Sequence, residues 1–117
     1  MIMKSKLPII AALVTIAIGL PVKAVDTRID TRSQVVRALA SAECLVKYGH
    51  FTREQVYEMI QLYINDNPQL SAAYSWALSS DKATEAVQIL VTYMNAKCND
   101  LTISEEEAQR LMKPYLD

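Results

Sequence analysis

The chain has 117 residues, with twelve basic and thirteen acidic side chains, one histidine and a formal net charge of −1 at pH 7. Nucleic-acid binding needs a basic face for phosphate, and this balance supplies none. A single histidine, two glycines and the absence of any glycine-rich loop leave little for an enzyme to work with, and a small enzyme ranks last among the functions considered.

Residues 1–24 have the composition of an export signal. Lys4 and Lys6 precede an uncharged apolar run from Leu7 to Leu20, interrupted only by Pro8, Thr15 and Gly19. That run is about 14 residues, short of the roughly 20 that cross a bilayer as a helix. Val22 and Ala24 then stand where a signal peptidase reads small side chains, which predicts cleavage after Ala24. No cysteine follows to carry a lipid anchor. The expectation is a periplasmic or secreted protein, free of the membrane once the signal is removed, with residues 25–117 forming one domain. Three of the twelve basic residues and none of the thirteen acids leave with the signal, so the remainder carries about −4 and stays soluble through that charge.

Val25 to Asp30 is polar and reads as a mobile lead-in. Thr31 or Ser33 can cap a first helix that runs to about Tyr48 and stops at Gly49. Val35, Leu39, Ala42 and Val46 form its main stripe. Cys44 lies on the other side with Val36, Ala40 and Tyr48, so this helix is either central or touched there by a partner. Phe51-Thr52-Arg53-Glu54-Gln55-Val56 is a capping box with a hydrophobic staple. The helix it opens places Tyr57, Ile60, Tyr63 and Ile64 on one face. Asn67-Pro68 ends it and begins a third helix to Ser79, packed by Leu70, Ala73, Tyr74 and Ala77.

The longest helical signal runs from Ser80 to Asn99, with Ala83, Val87, Leu90, Val91, Met94 and Cys98 on one side. Ser104 and Glu107 make a second capping box. The helix it opens docks through Ala108, Leu111 and Met112 and is limited by Pro114. No stretch alternates as a strand does. The pattern predicts an all-α fold, a compact bundle of about five short helices stapled by one disulfide.

That staple would join Cys44 and Cys98, because an even cysteine count in an exported chain favours a bridge. A closed loop of about 55 residues stabilises by roughly 4 kcal/mol in the chain-entropy model. The side of the helix on which Cys44 lies keeps an intermolecular bridge open. A nucleophilic pairing of Cys44 with His50 is the reactive alternative. Neither C-x-x-C nor a zinc spacing is present, Glu105, Glu106 and Glu107 suit the positive start of a helix, and no metal or cofactor is expected. The tyrosines at 57, 63, 74 and 93 read as core edges with wet hydroxyls. Trp76 lies about 110° from the apolar face of its helix. It is therefore the candidate partner-binding residue, or else a lid over the core.

From Thr52 on, T-x-x-Q opens a helix ending in Tyr63-Ile64-x-x-x-Pro68, and an apolar helix then closes on Cys98. Over residues 52–98 this resembles the small periplasmic immunity proteins of type VI secretion, which are exported, helical and disulfide-bonded and neutralise peptidoglycan-cleaving effectors. The chain departs from them in having one cysteine pair and a long Pro68–Cys98 segment. The resemblance implies action by binding another exported or periplasmic protein, as inhibitor, immunity factor or adaptor. A second likeness, of architecture alone, is to periplasmic acid-stress chaperones and implies apolar surface exposed at low pH.

Overall fold

A computed structural model describes residues 27–117; the segment read above as an export signal, with its expected cleavage site, lies outside them. The described residues form five α-helices: α1 (Thr27–Lys47), α2 (Arg53–Asp66), α3 (Ser71–Ser79), α4 (Asp81–Thr92) and α5 (Glu105–Leu116). A 3-10 turn, Pro68–Leu70, leads into α3.

The helix starts follow the local chemistry. At α2 the Thr52 hydroxyl accepts from the Gln55 amide at 3.1 Å, and the Gln55 side chain accepts from the Thr52 amide at 2.9 Å, so two otherwise orphaned donors are satisfied together. Ser80 accepts from Ala83 N and Ser104 from Glu107 N, at 3.3 and 3.1 Å. Helix α1 ends on Gly49 at φ +74°. His50 N donates to Leu45 O and Gly49 N to Val46 O, the paired bonds that a left-handed C′ residue permits. Asn67 departs from expectation. Its side chain donates back to Tyr63 O at 2.8 Å instead of capping the turn at Pro68.

Helix α1 is the centre of the bundle and the reason for its two apolar sides. Val35, Val36, Ala38, Ala40, Ala42, Cys44 and Leu45 are all buried on it, against α2, α3 and α4. It also starts earlier than the polar lead-in suggested, since Thr27 to Asp30 are helical. Tertiary contacts overrule local polarity there. Ile29 packs on the core, Arg32 donates to Leu116 O at 2.9 Å, and Gln34 donates to Asp30 one turn back.

The predicted Ser80–Asn99 helix is cut short at Thr92. Beyond it the chain reverses. Met94 bridges Leu101, Thr102 N donates to Tyr93 O at 2.7 Å, and Asn95 N donates to Asp100 O. Short polar side chains compete with the helix here: Thr92 Oγ1 donates to Ile89 O, and Asn95 Oδ1 accepts from Asn99 N. Met94 and Cys98 are nevertheless buried, as their place in the apolar stripe demanded. Cys98 sits in the turn at φ +61° and bonds Cys44 of the same chain, with Cα atoms 5.7 Å apart. No intermolecular bridge is left to form, because both cysteines are used.

Two smaller corrections concern the helix faces. Tyr57, expected on the apolar face of α2, is 58 % exposed, and Val56 and Met59 are buried instead. Helix α5 passes through Pro114 to Leu116. A proline in the last turn forfeits one backbone bond. In return Leu116 is buried beside Ala108 and Met112, and Arg32 takes its terminal carbonyl.

Candidate functional site

An apolar groove of about 170 Å³ lies between α2 and α3, with α1 as its floor. Leu39 and Ala42 line the floor, Val56, Tyr57 and Ile60 line one wall, and Tyr74 and Leu78 line the other. The walls come from neighbouring turns, since positions 56 and 60, or 74 and 78, are one helical turn apart. Leu78 is 64 % exposed at the rim, opposite the exposed Tyr57. Two large apolar side chains facing water across an apolar groove lack any role in the core, and such patches mark interaction surfaces.

Several polar groups of the groove are tied to neighbouring side chains. Arg53 Nη1 donates to both carboxylate oxygens of Glu43, at 3.1 and 2.8 Å. Gln61 Nε2 donates to the Tyr74 hydroxyl at 3.0 Å. Burial raises the pKa of Tyr74 and the nearby Tyr57 adds to the rise, so its phenol is neutral across physiological pH. The groove therefore offers apolar surface and fixed dipoles, with no nucleophile or acid–base pair.

Trp76 stands elsewhere. It is two positions from both Tyr74 and Leu78, hence about 160° around α3 from each, and packs partly buried against the core. The Arg32 guanidinium lies over its ring at 4.3 Å and also takes the Leu116 carbonyl. The ring is thus covered by Arg32 of α1, apart from the groove. The structure does not bring the sequence candidate and the exposed pair together.

The remaining candidates resolve into structural roles. His50 Nε2 lies 2.8 Å from Ala96 O and holds the disulfide turn against the end of α1. With both sulfurs in the bridge, the Cys44–His50 pairing has no thiolate to use. Glu107 is bonded by Arg110, whose hydrogen bonds hold its carboxyl below the ordinary range. Glu105 forms a two-pronged ion pair with Arg37. Among the described residues no three His, Cys, Asp or Glu side chains are placed to share a metal ion.

Sequence reasoning missed Arg37, which is 3 % exposed on the central helix. Its pKa is lowered, chiefly by burial, against the opposing effect of Glu105. Arg37 Nε and the nearby Ser41 Oγ are buried without a hydrogen-bond partner. The only hint was positional: Arg37 and Ser41 share a helix face one turn apart, on a helix apolar on both sides. The groove was legible only in part, because Tyr57 reads as a core-edge residue in the sequence and Leu78 lies outside the apolar stripe of its helix.

Among the described residues no helix is long and apolar enough to cross a membrane, and a disulfide is compatible with an oxidising compartment. Compared with family models, curated proteins and solved structures, the chain matches none.

Proposed function

We propose that this chain is an exported protein that acts by binding another exported or periplasmic protein, as an inhibitor, immunity factor or adaptor. The observation that carries the reading is the apolar groove rimmed by exposed Tyr57 and Leu78. A small domain stapled by a disulfide suits an extracytoplasmic site, where no other stabilising factor need be present. The resemblance over residues 52–98 favours the immunity form.

The experiment compares capture of exported proteins by the wild-type chain, Tyr57→Ala and Leu78→Asp, each first shown to be folded by circular dichroism. Both positions are exposed, so the fold tolerates the changes. A partner retained by wild type and lost by both variants supports the reading. A partner retained equally by all three moves the binding surface off the groove.

A second reading, an acid-triggered chaperone, draws on the Arg37–Glu105 pair that ties α5 to α1 over buried Ala108 and Met112. Loosening α5 would bare that apolar surface. A pH titration with a hydrophobic dye distinguishes it. Dye binding below the pH of partner capture favours the chaperone, and no dye signal before global unfolding removes it.

A further inference from the structure

We infer that the occupant of the groove is an amphipathic helix of a partner protein, apolar along one stripe and basic on its flank. This deepens the binding reading above and rests on it.

Backbone hydrogen bonding favours a helical occupant. An extended segment entering a groove must find partners for its own N–H and C=O groups, or lose their hydration without compensation. Here the walls are side chains of helices whose backbones are already bonded internally, and the few polar side chains of the lining, Glu43 and Arg53 paired with each other and the Tyr57 and Tyr74 hydroxyls, offer no regular ladder of partners to an extended backbone. A helix brings its backbone already satisfied, so only its side chains need accommodation. The lining also has the right length. Arg53 to Ile60 spans seven residue steps, about 10 Å along α2, or two turns of a facing helix with anchors at i and i+3 or i+4.

Charge favours a basic flank. Glu54 and Glu58 flank Tyr57 on the same side of α2 and are exposed. They are a like-charge pair at i,i+4, which is mildly unfavourable in the free protein. Neither has a basic partner among the described residues, and the one cation at this rim, Arg53, is held by Glu43. A cationic flank on the incoming helix would relieve the repulsion and fix its orientation. Across the groove, the outward side of α3 carries Ser71, Ala72, Ser75 and Ser79, all exposed and uncharged, so the polarity of the site comes from the α2 side alone.

The test uses three synthetic peptides of about four helical turns with the same leucine stripe at i, i+4 and i+7. One carries lysine on the flank, one glutamate, and one lysine with a central proline. Binding to the full exported chain is followed by fluorescence anisotropy and by amide shifts in NMR. The expected result is saturable binding of the lysine peptide, with shifts confined to Leu39, Val56, Tyr57, Ile60 and Leu78. The glutamate peptide should bind roughly tenfold more weakly at low salt, since two rim pairs contribute a few-fold each. That gap should close in the Glu54→Gln/Glu58→Gln variant, and the proline peptide should bind at least tenfold more weakly. Equal affinity for lysine and glutamate peptides, equal binding of the proline peptide, or shifts outside the groove would each overturn the inference. So would concentration-dependent dimerisation of the chain that Leu78→Asp abolishes, because a second copy would then be the occupant. A protein partner lost on Leu78→Asp, with no binding of the lysine peptide, would leave the binding reading standing and remove only the basic helix. Absence of both would remove both.

Discussion

Replacing Glu105 by Gln keeps the shape of the side chain but removes the counter-charge of a guanidinium that is almost wholly enclosed. Arg37 is 3 % exposed and Glu105 17 %. Burial outweighs the Glu105 attraction in setting the Arg37 pKa, so the pair compensates desolvation more than it adds net stability. Breaking a buried pair from one side costs about 3–5 kcal/mol. The partial opening at Glu105, which lets water approach, places the expected loss near 3 kcal/mol. At roughly 4–8 °C per kcal/mol for a domain of this size, the melting temperature should fall by about 12–24 °C. Arg37→Met alone should cost less, about 1–2 kcal/mol, because the stranded carboxylate can reach solvent. The double variant Arg37→Met/Glu105→Gln should return to within about 1 kcal/mol of wild type, an apolar chain of similar length having replaced the charge. Urea unfolding of the four proteins, monitored by circular dichroism, measures the cycle. A Glu105→Gln loss below about 0.5 kcal/mol, or a double variant as unstable as the two singles added together, would refute the reasoning.

Three other outcomes are expected. Cys98→Ser should cost about 2–5 kcal/mol, and the native wild-type chain should take up no thiol label without prior reduction; immediate labelling would contradict the bridge at Cys44–Cys98. Trp76→Ala should cost about 2 kcal/mol through lost packing and the Arg32 contact, with binding at the groove unchanged; a loss of affinity at unchanged stability would make Trp76 a contact residue. Burial raises the Tyr63 pKa to about 12. Its neutral phenol is favoured in the folded state, so its contribution to stability is complete below about pH 10 and declines as pH rises from there through about 12. A phenolate absorbance titration should show a late-ionising tyrosine that vanishes in Tyr63→Phe, and an unchanged titration would count against the assignment.

The helix starts were written locally. Thr52 with Gln55, Ser80, and Ser104 satisfy orphan amides within three residues of themselves, so no distant contact is needed to place them. The apolar periodicities likewise named most of the core on every helix, and the two apolar sides of α1 left it either central or touched by a partner, a choice the packing made in favour of the centre. Trp76 was singled out by its angle on α3, which is local too. Whether that angle meant exposure or a neighbour depended on Arg32, 44 residues away in the chain.

Amino-acid order alone determined the all-α character and the five helices of the described residues, because caps, turn residues and 3.6-residue periodicity act over a few residues; that the two cysteines join within one chain was decided by the fold, which brings their Cα atoms to 5.7 Å. Tertiary structure decided where α4 stops, how early α1 begins and which tyrosine faces water. The residues at those points have weak or conflicting local preferences, and the balance is set by partners far along the chain: Leu101 and Thr102 for the turn after Thr92, and Leu116 for the start of α1. The same holds for Arg37, whose charge is tolerable in the centre of the bundle only because Glu105 is brought to it from 68 residues away.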